Sequence, residues 1–130
     1  MLKYASVSLA FLIVVILAFP SFAQDDDERE AVAATQLLDD YLANELAADH
    51  KYQGKNFLIQ GVVDRIAKDI QGKPYITLAG KDPIRRIQVQ FPEDRMEALI
   101  KLNKGDTVQL LGRVDGLMAN VMVTFIPRPE

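Results

Sequence analysis

Cysteine is absent from this chain of 130 residues, and histidine occurs only once. A chain without cysteine forms no disulfide bridge and no thiolate-bound metal site. A single histidine excludes the multi-histidine zinc sites of many hydrolases. His50 also has no nearby serine in the arrangement of a nucleophile and its base. The sequence therefore predicts a protein that is not an enzyme and that carries no metal or cofactor.

The sequence also contains neither the spacing of a calcium-binding loop nor that of a phosphate-binding loop. Asp64, Asp69, Asp82 and Asp106 lie far apart in the sequence, so they do not form a calcium-binding loop. The segment 104–106, Lys-Gly-Asp, lacks the surrounding glycines of a phosphate-binding loop and is typical of a turn.

Charge is distributed unevenly, although the net charge is only -3. Residues 24–50 contain nine acidic residues and one arginine, whereas residues 51–130 contain thirteen lysines and arginines and nine acidic residues. The acidic segment neutralises the basic one or keeps the domain away from nonspecific anionic partners.

The segment 1–23 is typical of a secretory signal peptide. Lys3 supplies its positive charge, the apolar run over 5–19 is short for a bilayer span, and Pro20 ends that run. Small residues before Ala23 predict cleavage after it, with the mature protein periplasmic or secreted and without a stable membrane span. An uncleaved N-terminal anchor is the alternative.

A helix is predicted after a short acidic leader over 24–30. Residues 31–50 carry apolar side chains at spacings of three and four, on one stripe of a helix. The stripe consists of Ala34, Leu37, Leu38, Tyr41 and Ala48. A helix of this length is not stable alone, so we expect its apolar stripe to pack against the rest of the domain.

The stretch 55–66 predicts the long strand around which the domain is organised. Phe57, Ile59 and Val63 share one parity, which is the alternation of a half-buried strand. The strand is about twelve residues long, against a usual five or six. Gly61 at its centre predicts a bulge or bend through which one strand serves two sheets.

Four shorter strands and one helix follow within the predicted domain, 51–127. The strands are predicted over 75–78, 84–91, 108–114 and 118–126, with a helix over 92–101 and a hairpin at Asp115-Gly116. Five strands with a helix between the third and fourth are the order of an OB-fold, a small closed β-barrel. We therefore predict a mainly β protein with a five-stranded OB-fold barrel, an N-terminal helix and a short helix between strands three and four.

The sequence also resembles the tRNA_anti-like family of small exported bacterial OB-fold proteins. The residues that carry the resemblance are Leu37-Leu38, Tyr41, Asn44-Glu45, Ala48-Asp49, Tyr52, Gly54-Lys55, Gly61-Val62-Val63, Ile66, Asp69, Gly72, Tyr75, Leu78, Lys104-Gly105-Asp106, Val108 and Gly112. The resemblance covers nearly all of the mature chain and implies the same barrel. The family name refers to the anticodon-binding OB-fold and implies no particular ligand for exported members.

The outward face of the second and third predicted strands is the candidate ligand-binding surface, because OB-folds usually bind there. Its members are Tyr75, Thr77, Arg86, Gln88 and Gln90, rimmed by Lys68, Lys73, Lys81 and Arg85. One aromatic ring among cations and amides can stack a base or a sugar, but a single ring is few for a nucleic-acid platform. An ordinary solvated sheet face is the alternative.

A second group of polar residues lies on or just after the predicted helix. Asn44 falls on the apolar stripe, so it is expected to face the barrel, and Glu45 or Asp49 is expected to pair with Lys55. We favour helix–barrel docking for this group, with a polar pocket beneath the helix as the alternative.

These features favour an exported, non-catalytic OB-fold binding or adaptor module of the cell envelope. The predicted partner is an envelope protein, a peptide or a glycan. Binding of single-stranded nucleic acid through the face of strands two and three is the alternative function.

Overall fold

The computed structural model of this protein describes residues 30–127. Its elements in chain order are β1 (Ala31–Ala33), α1 (Ala34–Ala43), α2 (Glu45–Tyr52), β2 (Asn56–Lys68), β3 (Pro74–Leu78), β4 (Ile87–Gln90), a 3-10 turn (Glu93–Arg95), α3 (Met96–Ile100), β5 (Thr107–Leu117) and β6 (Val121–Phe125). The predicted signal peptide, and the predicted leader up to its last residue, lie outside the described residues.

Five of the strands close into a barrel. The sheet order is β1-β2-β3-β4-β6-β5, and an additional antiparallel pairing between β2 and β5 completes the ring. β4 and β6 run parallel, while the other neighbours within the barrel run antiparallel. The helix between β4 and β5 lies where the sequence predicted it. The prediction of a mainly β, five-stranded OB-fold barrel is confirmed.

β2 belongs to both halves of the barrel, as its length predicted. Residues 56–62 pair with β5, and the strand then pairs with β3 from Val63 onward. The register shifts between Val63 and Arg65, which places the bulge at Asp64 and not at Gly61. A Cβ at Gly61 would stand only 2.8 Å from the Cβ of Ala34. Glycine is required there because α1 packs directly against the strand.

The N-terminal helix differs from the prediction of one continuous helix over 31–50. Ala31–Ala33 is instead a short strand that pairs in parallel with β2, so its backbone groups bond to a neighbouring strand. The helix is then interrupted at Asn44, whose backbone is extended with φ -161° and ψ 97°. Small alanines permit a helix, but the ladder to β2 and the cap at Asn44 determine where helix forms.

The core fills the barrel and continues under the two N-terminal helices. α1 buries Leu37, Leu38 and Tyr41, and α2 buries Ala48 and Tyr52. The other buried apolar residues are Ala34, Phe57, Ile59, Val63, Ile76, Leu78, Ile87, Val89, Phe91, Leu99, Leu110, Val114, Val121 and Val123. The helices are therefore part of one hydrophobic core with the strands.

The last hairpin lies later in the chain than the sequence predicted. Asp115 and Gly116 belong to β5, where the register shifts and Gly116 has a φ of +130°. The connection to β6 is made by residues 118–120, so β6 begins at Val121. An Asp-Gly pair is typical of a hairpin turn, but here its glycine serves the irregular pairing within the strand.

Candidate ligand-binding face

The outward side chains of β3 and β4, with their registered neighbours, form one surface that we call the outer face. One row across it contains Ala67, Tyr75, Gln90 and Thr124, and the next row contains Arg65, Thr77, Gln88 and Met122. The β2–β3 loop (69–73) borders the first row, and the β5–β6 loop (118–120) borders the second. Tyr75, Thr77 and Gln88, which were predicted to share a face, therefore do so.

Hydrogen bonds between side chains run along the outer face from one loop to the other. Asn120 Nδ2 donates to Gln88 Oε1 at 3.0 Å, and Gln88 Nε2 donates to Gln90 Oε1 at 3.1 Å. Gln90 Nε2 then donates to Asp69 Oδ2 at 2.9 Å. We call these four residues the amide chain. Hydrogen-bonded networks hold such side chains in fixed positions, so the polar surface is ordered before any ligand arrives.

Asp69 ends the amide chain and also organises the β2–β3 loop. Its Oδ1 accepts hydrogen bonds from the backbone N–H groups of Gln71, at 2.8 Å, and Lys73, at 2.9 Å. The N–H of Lys73, then that of Gln71 and the Gln90 amide, hold the pKa of the Asp69 carboxyl below its usual value. The carboxylate is therefore an acceptor at neutral pH, which fixes the direction of the last bond in the chain.

Arg86 lies at the opposite end of the face and is held in place by the protein. Its Nε donates to Asp64 Oδ2 at 3.0 Å, and one Nη donates to the backbone oxygens of Asp82 and Arg85. Its backbone N–H donates to Asn120 Oδ1 at 3.0 Å, which joins it to the amide chain. The guanidinium was predicted to contact a ligand, but much of its hydrogen-bonding capacity is already used within the fold.

Thr77, a member of the second row, is only 6% exposed. Its Oγ1 is buried and has no hydrogen-bond partner among residues 30–127. Buried hydroxyls in folded proteins are normally paired, since an unpaired one costs about 1–3 kcal/mol. Its neighbour across the β3–β4 pair is Gln88, a member of the amide chain. Within the described residues, Thr77 therefore provides an unpaired, buried polar atom in the second row of the face.

The cations predicted to rim the face separate into two groups. Lys68 and Lys73 are exposed at the end near the β2–β3 loop, and Arg85 is exposed beyond the other end. Lys81 lies elsewhere, because its Nζ stands 3.6 Å from Asp39 on α1. The exposed cations predicted to rim the face therefore lie at its two ends, and its two rows contain Tyr75, neutral polar groups and the exposed Arg65.

The polar residues on and after the predicted helix, which were expected to dock the helix against the barrel, have other structural roles. This group consists of Asn44, Glu45, Asp49 and Lys55. Asn44 is exposed and does not face the barrel; its Oδ1 accepts from the N–H of Ala47 at 3.0 Å and caps α2. Asp49 accepts from the hydroxyl of Tyr41, while Lys55 Nζ donates to the backbone oxygen of His50. Glu45 is exposed in the first turn of α2. The predicted pairing of Glu45 or Asp49 with Lys55 is wrong.

Sequence reasoning missed the residues that complete the face. The strand predicted over 118–126 contains Asn120 and Thr124 and gives neither a role at the face, because the hairpin is predicted too early in the chain. Asp69 has no predicted role beyond the family resemblance, although an aspartate before a glycine-containing turn often accepts backbone N–H groups. That capping pattern is the one signal in the sequence that could have identified it.

No group of three or more His, Cys, Asp or Glu residues within 30–127 is placed to hold a metal ion. Over this range there is also no helix with the length and apolar character required to cross a membrane.

A family model described as tRNA_anti-like matches residues 1–125. The chain belongs to the tRNA_anti-like family. The resemblance seen in the sequence is thereby confirmed, together with the barrel that it implied. No curated protein matches the chain significantly.

Two solved structures illustrate how widely this fold is shared. One is a protein from Klebsiella pneumoniae subsp. pneumoniae MGH 78578 that is provisionally named a nucleic acid-binding lipoprotein. Its sequence is 21% identical and its TM-score is 0.59, and the match covers 78% of this chain and 94% of the Klebsiella chain. The other is a protein from Leishmania major Friedlin that is provisionally named an aspartyl-tRNA synthetase. Its sequence is 12% identical and its TM-score is 0.54, and the match covers 96% of this chain but only 25% of the Leishmania chain. At these identities the likeness establishes the fold.

Proposed function

We propose that this protein is an exported, non-catalytic binding module of the cell envelope, and that its ligand lies across the outer face. The ligand is an uncharged polar chain, either a peptide or protein segment or a glycan. The location in the envelope rests on the signal peptide predicted over 1–23, and the lipoprotein name of the Klebsiella structure agrees with it.

The amide chain is the observation that carries this proposal. After its internal bonds, Gln88 retains one N–H group and one lone pair, and Gln90 retains the same. A surface that offers donors and acceptors side by side matches peptide groups and sugar hydroxyls, which also carry both. Phosphate groups supply acceptors only, so they leave the free lone pairs of these amides without a donor.

Single-stranded nucleic acid is the second candidate, because Tyr75 is a stacking surface with cations nearby. Lys68 and Lys73 are exposed at the same end of the face, and Arg65 is exposed in the neighbouring row. The nucleic acid-binding name of the Klebsiella structure supports the same candidate. Against it, Arg86 is bonded to Asp64 and Arg113 to Asp115, each at 3.0 Å, so a carboxylate already neutralises each of these two cations.

The test compares the wild-type protein with Gln88→Lys, which adds a charge in the middle of the face. Gln60→Lys is the matched control, because Gln60 is exposed on β2 near β1 and outside the two rows of the face. Each protein is immobilised, exposed to an envelope extract, and its retained molecules are identified by mass spectrometry. A molecule retained by the wild type and the control but lost from Gln88→Lys supports the proposal, whereas equal retention by all three contradicts it.

The nucleic-acid candidate is tested by fluorescence anisotropy with labelled single-stranded RNA and DNA. If it is correct, binding falls steeply as salt rises and is weakened by Lys68→Glu and Lys73→Glu. If our proposal is correct, neither oligonucleotide binds at physiological salt.

A further inference from the structure

An open pocket of about 700 Å³ lies at the end of the outer face next to the β2–β3 loop. We call it the end pocket; it is lined by Lys73, Gln90, Phe91, Pro92, Glu93, Thr124, Phe125 and Pro127. Gln90 and Thr124 belong to the first row of the outer face. The polar face and the pocket are therefore continuous, and one ligand can occupy both.

Two aromatic rings form the apolar wall of the end pocket. The ring centroids of Phe91 and Phe125 are 4.7 Å apart, and the planes are inclined by 27°. The guanidinium carbon of Arg95 lies 5.2 Å from the centroid of Phe125. Offset stacking and the cation–π contact hold Phe125 in position, so the wall exists before a ligand binds.

The charges at the end pocket favour a neutral occupant. Lys73 and Glu93 contribute one charge of each sign, and both side chains are exposed. Beside them Gln90 retains one N–H group and one lone pair, which matches the single donor and single acceptor of a peptide unit. An apolar cavity next to such an amide suits a side chain that projects from a hydrogen-bonded backbone.

Exposed apolar residues in three loops favour a polypeptide over a glycan. Ile70 in the β2–β3 loop is 100% exposed, Ile84 before β4 is 81% exposed, and Met118 in the β5–β6 loop is 72% exposed. All three loops border the outer face or lead directly into it. Apolar side chains around a polar centre match the mixed surface of a protein partner, whereas sugar hydroxyls would leave them without apolar contacts.

We propose that the partner is a polypeptide, and that the end pocket accepts one aromatic or branched aliphatic side chain from an extended segment of it. The backbone of that segment lies along Gln90 and Gln88. This inference rests on the proposed function, because it names the ligand class of the same face.

The pocket beside β1 provides an internal comparison. It measures about 580 Å³ and is lined by Ala31, Val32, Ala33, Thr35, Gln60, Gly61, Val62, Ala79, Gly80, Lys81 and Thr107. It shares no residue with the outer face or the end pocket. A charged side chain introduced at Gln60 therefore controls for the effect of the same change at the end pocket.

The experiment is a titration of the ¹⁵N-labelled protein, expressed from the full sequence, followed by two-dimensional NMR. The probes are N-acetylphenylalanine amide, N-acetylleucine amide, di-N-acetylchitobiose and adenosine monophosphate. We expect both amino-acid amides to shift the resonances of Gln90, Phe91 and Phe125 saturably, at roughly millimolar concentrations for ligands this small. Thr124→Arg and Pro92→Arg should each remove at least nine-tenths of the shift, while Gln60→Arg should leave it unchanged.

Other outcomes overturn the inference in distinguishable ways. Shifts with chitobiose alone identify a glycan site, and shifts at Tyr75 and Lys73 with adenosine monophosphate alone identify a nucleotide site. Binding of the amino-acid amides that survives both Thr124→Arg and Pro92→Arg places them outside the end pocket. If no probe shifts the pocket while Gln88→Lys still loses its retained ligand, the pocket inference fails and the proposed function stands.

Discussion

The hydroxyl of Tyr52 donates a 2.5 Å hydrogen bond to Oδ2 of Asp40, twelve residues earlier. The reverse bond joins the same two helices, because the hydroxyl of Tyr41 on α1 donates to Asp49 on α2 at 2.8 Å. The two rings also stack, with centroids 6.2 Å apart. Burial first, and then the carboxylate partners, raise the pKa of both phenols above the usual 10.0. The two helices are therefore joined across the break at Asn44.

The first prediction concerns this pair of bonds. Tyr52→Phe should lower the free energy of unfolding by about 1–3 kcal/mol, because Asp40 loses a hydrogen bond made to a charged group. At about 4–8 °C per kcal/mol for a domain of this size, the change is easily seen in thermal denaturation followed by circular dichroism. Tyr75→Phe is the control, since the Tyr75 hydroxyl makes no hydrogen bond to a side chain within residues 30–127. Equal melting temperatures for wild type and Tyr52→Phe would show that the bond does not stabilise the fold.

The second prediction separates two neighbouring arginines. Arg86→Glu should lower the melting temperature, because it places a carboxylate beside Asp64 and leaves two backbone oxygens without their donor. Arg85→Glu should change it little, since Arg85 is exposed. Both variants carry the same change of net charge.

A loss of oligonucleotide binding in Arg86→Glu can be attributed to the face only if the melting temperature is unchanged. The reverse order, with Arg85→Glu the more damaging of the two, would contradict the role of Arg86 as the residue that holds the loop before β4.

The barrel could be predicted from the sequence because the alternation of apolar and polar residues shows which side of a strand is buried. Alternation in β2 depends only on which side chains face the core, and Phe57, Ile59 and Val63 are all buried as expected. The position of the bulge could not be predicted in the same way. Gly61 is the conspicuous residue, but the extra residue is at Asp64, just after the chain has left β5 at Val62 and begun to pair with β3 at Val63.

The candidate site was predictable only in part, because a hydrogen-bonded network depends on contacts between distant segments. Strand parity placed Tyr75, Thr77 and Gln88 on one face. It could not bring Asn120, 32 residues away, onto Gln88. It also could not show that Arg86 is held by Asp64, because that contact depends on the bulge in β2.

The third prediction corrects the role of Asn44. Asn44→Ala should lower the free energy of unfolding by about 1 kcal/mol, because the N–H of Ala47 loses its capping oxygen. Asn44→Asp should retain the stability, since a carboxylate accepts the same bond and suits the positive end of the helix dipole. Thermal denaturation of the three proteins distinguishes a cap from the docking contact expected earlier. If a contact with the barrel were dominant, both variants would be destabilised.

The fourth prediction follows from the lowered pKa of Asp69. A carboxyl whose pKa is lower in the folded than in the unfolded state stabilises the fold at pH values above its usual 3.8. That stabilisation is lost as the pH falls through the folded value. Asp69→Asn has no charge to titrate, so the wild type should melt at a higher temperature at pH 7, and the difference should shrink below pH 3.8. A difference that does not vary with pH would show that the charge is not responsible.

The amide chain has a consequence for the orientation of whatever binds to it. Asn120, Gln88 and Gln90 all donate in the same sense, and the series ends on a carboxylate. Aligned dipoles of this kind make the two ends of the face electrostatically different. A polymer that has its own chemical direction should therefore bind with one polarity, so that a sequence and its reversal are distinguished even when their side chains are the same.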